Sequence, residues 1–373
     1  MRCLLLSRYN RLGASSRVRT YQYLKYLEDH GVQVTIAPLV GDDYVENLYA
    51  GRRKKWGAIT RAYLERMKNV FRSSRFDLLW VERELFPWLP AFGIRFLVHR
   101  SIPYVVDYDD AVFHRYEACP NFLLRTLLRS KIDYAMRHAK LIIAGNSYLA
   151  DRALRAGAEK VEILPSVVDL ERYFVVPPRP RERFTIGWIG SPATKQYLHL
   201  VAPALADLCK DDRTRVVLVG AGSIELPGVP VEILPWSEET EVASIQDFDV
   251  GIMPLPDDAW TRGKCGYKLI QYMACGRPVV ASPVGVNSQI VEENLNGFIV
   301  RTTEEWVRAL TSLRNNPSLR EKMGEAGRKK VEDHYCLQVT APRLLSLLEE
   351  AANSVIRTDT QQITNDVRNY RIS

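Results

Sequence analysis

The sequence predicts an α/β protein made of two Rossmann-like domains, and three observations favour this class. The chain has 373 residues, more than one ordinary domain needs. Short apolar runs typical of buried strands alternate with segments of helical periodicity. A proline-rich break at 176–180 divides the pattern into two halves. We therefore predict an N-terminal domain over 1–172, a C-terminal domain over 173–336, a helix over 337–357 and a polar tail over 358–373.

The first domain begins as a mononucleotide-binding fold does. A strand over 3–6 leads into a polar segment containing Gly13, a helix follows over 17–29, and a second strand spans 32–37. The loop lacks a complete G-x-G-x-x-G pattern, so it is weak evidence for NAD. Further strands are predicted over 78–81, 104–106, 141–144 and 161–164, and a helix over 122–136.

The fourth strand of this domain, predicted over 104–106, leads directly into a cluster of carboxylates, Asp107, Asp109 and Asp110. The carboxyl ends of strands in an open α/β sheet are where ligands bind. Three acids this close raise one another's pKa unless a cation or a hydrogen-bond donor lies near them. The cluster is therefore a candidate site, although turn and cap carboxylates would give the same pattern.

Positive charge is concentrated in one segment of the chain. Between residues 51 and 76 there are nine Lys or Arg residues and one acid, Glu65, which gives +8, whereas the whole chain carries +7. From Trp56 to Val70 the apolar residues follow helical spacing. A basic amphipathic helix of this kind could bind an anionic membrane surface. It could equally cover the sheet with its apolar face and expose its basic face to solvent. No nucleic-acid-binding module accompanies the charge.

In the second domain we predict strands over 185–189, 216–219, 231–234, 248–253 and 278–281, with a helix from Cys265 to Ala274 that ends at Gly276. The loop before this helix carries Thr261, Arg262, Lys264 and two glycines, and Lys268 lies one turn inside. Unpaired N–H groups, the helix dipole and cationic side chains would together favour a phosphate there. An ordinary helix start with solvated lysines explains the same residues.

The segment KLIQYMACGRPVVASPVG, residues 268–285, resembles the donor-site signature of the retaining GT-B glycosyltransferases of family 4, and the resemblance extends over most of the chain. It implies two Rossmann-like domains that face each other across a cleft, with the helix over 337–357 returning to the first domain. It also implies an enzyme that transfers a hexose from a nucleotide diphosphate-sugar to a hydroxyl acceptor, with retained configuration and without a metal or other cofactor.

The resemblance assigns the donor-binding residues. The loop containing Gly190, Ser191 and Lys195 would hold the diphosphate, although Trp188 stands where an arginine is usual, so Arg262 or Lys264 would replace the missing charge. Two family glutamates correspond to Gly263 and Gln271. Gln271 can still pair with a ribose hydroxyl, whereas Gly263 leaves the sugar contact to Asp257, Asp258, Lys264 or backbone groups. The remaining expected donor contacts are Lys268, Trp236 against the base, and Val286 and Asn287.

On the acceptor side, the resemblance implies close backbone approach at Gly13, charge neutralisation by Arg17 and Arg19, and contact between Asp109 and the acceptor hydroxyl or the transferred sugar. Asp109 stands where the family has a histidine. Asp107-x-Asp109 also matches the DxD of GT-A enzymes, which would carry Mn²⁺. We favour the reading without a metal.

Composition limits the remaining possibilities. The chain contains no stretch approaching the ~20 apolar residues of a membrane span. The apolar run within its first ten residues is too short, and is followed too closely by charged residues, for a secretory signal. Six scattered cysteines indicate neither zinc nor disulfides. We expect a cytoplasmic protein, peripheral at the inner face of the cell membrane through residues 51–76, in polysaccharide biosynthesis. A lipid-linked or envelope glycan is the expected acceptor. The alternative is a non-catalytic nucleotide-sugar-binding partner subunit.

Overall fold

The computed structural model describes residues 1–53, 55–177 and 182–369, with side chains to residue 353 in the last helix. The chain divides into two compact units. The first contains Met1–Pro165 and the chain from Ala341 onward, and the second contains Ser166–Thr340. Most of the proline-rich segment over 176–180, which the sequence predicts to be a linker, lies outside the described residues.

The first unit is built on a parallel sheet of six strands in the order β2-β1-β3-β4-β5-β6. The strands are β1 (Arg2–Leu6), β2 (Gln33–Ile36), β3 (Leu78–Glu82), β4 (Tyr104–Tyr108), β5 (Leu141–Ala144) and β6 (Val161–Ile163). Its helices are α1 (Ala14–Arg19), α2 (Leu24–Asp29), α3 (Asp42–Tyr49), α4 (Trp56–Phe71), α5 (Phe92–His99), α6 (Phe113–Glu117), α7 (Phe122–Leu128), α8 (Lys131–His138) and α9 (Ser147–Ala156).

The second unit has its own parallel six-stranded sheet, in the order β12-β11-β10-β7-β8-β9. The strands are β7 (Phe184–Ile189), β8 (Thr214–Val219), β9 (Val231–Leu234), β10 (Val250–Met253), β11 (Val279–Ala281) and β12 (Gly297–Ile299). The helices are α10 (Ala202–Leu208), α11 (Glu241–Gln246), α12 (Ala259–Arg262), α13 (Tyr267–Ala274), α14 (Asn287–Ile290), α15 (Thr303–Asn315), α16 (Pro317–His334) and α17 (Leu337–Asn369), which continues into the first unit.

The core of the second unit lies on both faces of its sheet. Alternate strand residues enter different clusters: Trp188 and Leu218 pack with α10 and α15 residues, whereas Ile189 and Val219 pack with α13 residues. Every residue of β7 is buried. Because helices cover both faces, these strands are mostly apolar instead of alternating, which is why short apolar runs predicted five of them. The sixth, β12, has three residues and was not predicted.

The predicted α/β class and its two Rossmann-like sheets are confirmed, but three helices differ from expectation. The helix predicted over 17–29 is divided between α1 and α2, because the Thr20 hydroxyl donates to Ser16 O (2.7 Å) and the next turn tightens at Tyr21–Tyr23. The helix predicted over 122–136 is two, α7 and α8, which are separated at Arg129 and Ser130. The segment over 358–369, predicted as a polar tail, continues α17, since no glycine or proline interrupts it.

Candidate functional site

The strand order of the second unit identifies where a ligand would bind. Along the chain, β7, β8 and β9 extend the sheet in one direction, whereas β10, β11 and β12 extend it in the other. This is the dinucleotide-fold order, with its reversal between β7 and β10. The loops after these two strands therefore flank a crevice at the carboxyl edge of the sheet. Most of the predicted donor-binding residues lie on these two loops or on α13.

Gly190, Lys268 and Trp236 come together at this edge. A Cβ added to Gly190 would lie 2.8 Å from Lys268 Cε, and one added to Gly220 would lie 2.4 Å from Gly190 O and 2.9 Å from Trp236 Cβ. The Lys268 ammonium stands 5.4 Å from the centre of the buried Trp188 ring. As the sequence indicated, Trp188 supplies no charge. Its ring instead packs near the Lys268 ammonium, which does supply a charge.

The start of α13 depends on a glycine. Gly266 is the N-cap residue with φ +66°, and no described side chain caps this end of the helix. A Cβ there would lie 2.3 Å from Ile290 Cδ1 and 3.1 Å from Val286 Cγ2. Only glycine meets both the left-handed backbone and the lack of space. The turn brings Lys268 into the first turn of α13, at the positive end of the helix dipole.

We therefore expect Gly266→Ala to reduce the free energy of unfolding by about 1–3 kcal/mol, the usual cost of a strained left-handed residue. Gly57→Ala is the matched control, because no atom lies within 4 Å of its added Cβ and its φ is not positive. That control should leave stability unchanged or raise it slightly. Chemical denaturation of both variants measures the difference, and equal midpoints would show that the Gly266 turn is not constrained.

Trp236 and Gln271 are joined by a buried hydrogen-bond network centred on Glu241. The Glu241 carboxylate accepts from Trp236 Nε1 (2.8 Å), Tyr173 OH (2.6 Å) and Arg172 Nη2 (2.7 Å). Gln271 Nε2 in turn donates to Tyr173 OH (2.8 Å). Glu241 and Gln271 are almost fully buried. The network fixes the Trp236 ring through its N–H and fixes the Gln271 amide at one end.

Three other predicted cations make contacts of their own. Lys195 donates its ammonium hydrogen to Ser223 O, beside the Gly220 loop. Arg262 forms a bidentate ion pair with Asp257 (2.6 and 3.1 Å) at the surface. The Lys264 ammonium lies 5.8 Å from the Trp260 ring centre. The expectation that Arg262 replaces the charge missing at Trp188 remains a prediction, and it requires this exposed ion pair to open.

The remaining donor-side residues form structural parts of the loops. Asp258 caps α12 by accepting from Thr261 N (2.8 Å), and Gly263 ends that helix. Asn287 is buried and donates from Nδ2 to Ser282 O (3.0 Å), while Val286 is buried beside Gly266. Ser191 accepts at its carbonyl from Thr194 N (3.0 Å). Val286 and Asn287 therefore support the Gly266 turn from behind.

In the first unit, the strand order reverses between β1 and β3. The β3 residue Glu82 is fully buried and accepts from Arg8 N (2.8 Å) and Ser16 Oγ (2.6 Å). Ser15 Oγ lies 2.8 Å from Glu82 Oε1 and 2.7 Å from Asp109 Oδ2. Its single hydroxyl hydrogen can serve only one of these carboxylates at a time. Glu82 thus fixes the β1–α1 loop against the end of β3.

Asp109 is held by Arg83. The guanidinium donates to Asp109 from Nε (2.6 Å) and Nη2 (2.9 Å), and to Asp110 from Nη2 (2.9 Å). Burial alone would raise the pKa of Asp109, but the charge and hydrogen bonds of Arg83, with Arg19 and Ser15, lower it to about 2. Arg83 adopts φ +60°, unusual for a non-glycine residue. The carboxylate is therefore a fixed negative charge and a poor proton acceptor.

Asp107 belongs to the interior, since β4 extends to Tyr108 and not only to Val106 as predicted. Arg19 pairs with it through Nε (2.8 Å) and Nη2 (3.0 Å), and both side chains are buried. Burial raises the pKa of Asp107 to about 6, and the Arg19 charge opposes the rise. Asp107 and Asp109 are thus each paired with a different arginine. In the parts of the chain that the structure describes, no group of three or more His, Cys, Asp or Glu residues could hold a metal ion.

Gly13 and Arg17 lie on the same loop and helix. Gly13 precedes α1 in contact with Tyr9, whose Cβ would be 2.2 Å from an added Cβ. Arg17 is buried, and its Nη1 donates to Arg11 O (3.4 Å). Arg19, expected to neutralise a ligand's charge, instead neutralises Asp107. These residues, with Asp109, belong to the first unit, and the other predicted site residues belong to the second.

Sequence reasoning missed several residues that hold the predicted ones. They are Ser15, Glu82, Arg83, Tyr173 and Glu241. Glu82 and Glu241 differ from surface acids in being almost completely buried, which no periodicity shows for a single polar residue. The sequence Glu82-Arg83-Glu84 directly follows the strand predicted over 78–81. Because ligands bind at the carboxyl edge of such a sheet, this position could have marked the three residues as part of a site.

Known proteins resemble this chain in sequence and in fold. Residues 183–316 match the family model "Glycosyl transferases group 1". A D-inositol 3-phosphate glycosyltransferase of Saccharomonospora viridis is 25% identical over 258 residues, which are 59% of this chain and 57% of that protein. The chain thus spans less than two thirds of the length of this curated relative.

Two solved structures share the fold over most of the chain. Sucrose-phosphate synthase from Thermosynechococcus elongatus has a TM-score of 0.70 at 14% identity, covering 94% of this chain and 98% of that one. HepE of Anabaena, in complex with UDP-glucose, has a TM-score of 0.68 at 16% identity, covering 94% and 100%. At this identity the likeness concerns the fold alone. The chain has the GT-B fold that the sequence predicted.

Proposed function

Residues 183–316 form a glycosyl transferases group 1 domain, and from this premise we propose that the protein transfers a sugar from a UDP- or GDP-sugar to a hydroxyl acceptor. The observation that carries the proposal is the meeting of Gly190, Lys268 and Trp236 at the strand-order reversal of the second sheet. The glycine lets Trp188 and Lys268 pack directly against the backbone, the lysine supplies charge and the indole of Trp236 supplies a flat surface for a base. The second unit would thus be the donor domain.

On the donor side, the chain would stabilise the departing diphosphate. When the bond between the sugar and the diphosphate breaks, its electron pair goes to the phosphate oxygen, and the proton of the acceptor hydroxyl is taken up there. Lys268 and the N-terminal end of α13 face this charge, with Lys195 as a second cation from the Gly190 loop. Such groups act by being already in place when charge develops. Gln271, oriented by Tyr173 and Glu241, would contact the ribose.

On the acceptor side, the retaining transfer that the family resemblance implies would not require Asp109 to act as a general base. An inverting transfer needs a general base whose pKa lies near the working pH. The pKa of Asp109 is about 2, so the residue would act as a negative charge near the developing positive charge of the sugar. The pairing of Asp107 and Asp109 with separate arginines supports a reaction without a metal. The first unit would then be the acceptor domain.

A lipid-linked or envelope glycan fits the acceptor best, and it would place the protein at the inner face of the cell membrane. The support is the positive charge of residues 51–76, together with Trp56 and Leu64, which α4 exposes by 71% and 57%. Arg66, on the same helix, is buried and donates to Ala37 O (2.9 Å), so not every basic residue faces solvent. No helix among the described residues has the length and apolar character needed to cross a bilayer.

The direct test is turnover with a panel of UDP- and GDP-sugars and a lipid-linked acceptor, preceded by a thermal-shift screen that ranks the donors. We expect one donor to raise the melting temperature and to yield glycosylated product at a rate that EDTA does not change. Loss of activity in EDTA would overturn the metal-independent reading. Product with the inverted anomeric configuration, measured by NMR, would overturn retention.

The second candidate function is a nucleotide-sugar-binding subunit without catalysis. Gly263 and Gln271 favour it, because the family glutamates are absent there and Gln271 is already bonded to Tyr173. A binder would show a thermal shift and measurable affinity for a donor but would give neither transfer nor hydrolysis with any acceptor. The same panel therefore separates the two candidates.

A further inference from the structure

The helix α7 exposes a set of large apolar side chains that the fold does not use. Leu123 is 75% exposed, Phe122 65% and Leu127 57%, whereas only Leu128 is buried in this helix. Leu123 and Leu127 are four residues apart and so lie side by side on the helix surface. Isolated exposed leucines are common, but several adjacent ones indicate an interaction surface.

The surface is held in place by its surroundings. Asn121 caps α7 by accepting from Leu124 N (3.1 Å). The Arg125 guanidinium lies 5.8 Å from the Phe122 ring centre and donates to Cys119 O (3.1 Å). Leu128 anchors the other end in the core. The apolar side chains are therefore presented on an ordered helix.

The charge around α7 indicates what covers it. Residues 121–132 contain Arg125, Arg129 and Lys131 and no acid, and the acids on either side, Glu117 and Asp133, are both paired with Arg152 (2.7 and 2.8 Å). Lys131 is buried against Glu84, with Nζ to Oε2 at 2.8 Å, so Arg125 and Arg129 supply the surface charge. An apolar face bordered by arginines complements a bilayer with anionic headgroups better than it complements the mixed surface of a soluble protein.

Two exposed tryptophans, Trp56 and Trp88, lie near the carboxyl edge of the first sheet. The crossover from β2 to β3 makes α4 begin near the carboxyl edge, so Trp56 lies there. Trp88 follows β3 and is 47% exposed, and its backbone N–H donates to Tyr116 OH (3.2 Å) on α6, the helix that precedes α7. Tryptophan is enriched where a protein meets the headgroup region.

We propose that α7 inserts its apolar face, Phe122, Leu123 and Leu127, into the boundary between headgroups and acyl chains of an anionic membrane. The basic segment 51–76 alone would give an electrostatic and salt-sensitive association. The face on α7 adds apolar burial that salt does not screen. The inference deepens the proposed function, on which it rests for its purpose, because insertion would bring the first unit to a lipid-linked acceptor.

The test is sedimentation of the full chain with vesicles of phosphatidylcholine mixed with phosphatidylglycerol. Leu123→Asp combined with Leu127→Asp should weaken vesicle binding at least about tenfold, given the apolar area lost and the charge added. Leu154→Asp on α9 is the matched control, because Leu154 is 58% exposed in the same unit and lies outside the surface. It should bind as the unchanged protein does. Equal melting temperatures show that all variants fold.

A second variant separates the two components of binding. Reversing Arg52, Arg53, Arg61 and Lys68 to glutamate should reduce the dependence on phosphatidylglycerol, and the residual binding at high salt should disappear only when α7 is also changed. Vesicle binding of the α7 variant equal to that of the Leu154 control would overturn the proposal. So would a loss of self-association, seen by analytical ultracentrifugation, in place of a loss of vesicle binding, since the surface would then serve a second copy. Donor binding, measured without vesicles, should be unchanged, so failure here is distinct from failure of the proposed function.

Discussion

Replacing Asp109 with asparagine should lower kcat by about 10²–10³-fold while leaving the donor KM nearly unchanged. The expected loss is that of one preorganised electrostatic contact to the transition state. Asparagine keeps the size of the side chain but removes the charge that Arg83 holds at 2.6 Å. The measurement is steady-state kinetics with the donor that the panel identifies.

Asp110→Asn is the matched control for this prediction. Asp110 also accepts from the Arg83 guanidinium (2.9 Å), and its side chain is 19% exposed against 13% for Asp109. Its loss therefore reproduces the disturbance of Arg83 without removing Asp109. We expect its kcat to fall less than tenfold. Similar losses in the two variants would assign the effect to Arg83 and would remove Asp109 from the reaction.

The pH dependence of the unchanged enzyme independently tests the proposed role of Asp109. A carboxyl with a pKa lowered to about 2 stays ionised throughout the neutral range. Its contribution to folding is complete above pH ~4, the unfolded pKa, and is lost as the pH falls towards 2. The kcat profile should accordingly show no step from Asp109 between pH 5 and 8. An acidic limb there that Asp109→Asn abolishes would identify the residue as a general base instead.

Replacing Lys268 with methionine should raise the dissociation constant for UDP or GDP by about ten- to hundredfold. A hydrogen bond to a charged group contributes about 1.5–3 kcal/mol, which corresponds to a change of this size. Methionine keeps an unbranched apolar stem over Trp188, whose ring lies 5.4 Å from the ammonium in the unchanged protein. The melting temperature without ligand should therefore change little. Isothermal titration calorimetry provides the measurement.

Two further variants test whether the loss of affinity is specific to the charge of Lys268. Lys268→Arg retains the charge and should recover most of the affinity. Lys210→Met is the surface control, because Lys210 belongs to the same unit and pairs only locally with Asp207 (2.6 Å) at an exposed position. Its affinity should match that of the unchanged protein. Full affinity in Lys268→Met would exclude the lysine from the phosphate site and would weaken the case for the whole donor assignment.

Much of the fold was available from local patterns. Strands buried on both faces, such as β7 and β10, are largely apolar runs, and Gly190 and Pro254 mark their ends. The helix over α4 was predicted within one residue at its end because its apolar spacing is regular. Boundaries failed where a side-chain hydrogen bond changed the winding, as Thr20 does after α1.

The site was predictable only in part. Lys268 was proposed because glycines and cations before a helix have a recognisable spacing, and the Gly190 loop was proposed from the family resemblance. The partners of Gln271 and Asp109 were not, since Tyr173 lies 98 positions from Gln271 and Arg83 lies 26 from Asp109. Contacts over such separations depend on strand order, which local periodicity does not contain.

By itself, then, the sequence determined the alternation of strands and helices, the glycine turns and the charge on residues 51–76, because each depends on the backbone preferences of neighbours or on simple composition. The tertiary structure alone decided that Arg19 neutralises Asp107, that Arg83 keeps Asp109 ionised, and that Glu241 orients Trp236 and Gln271. It also decided that α7 faces solvent with its apolar side chains. The physical reason is that burial and pairing are properties of a position in the packed sheet, and residues of identical type acquire different charge states and partners there.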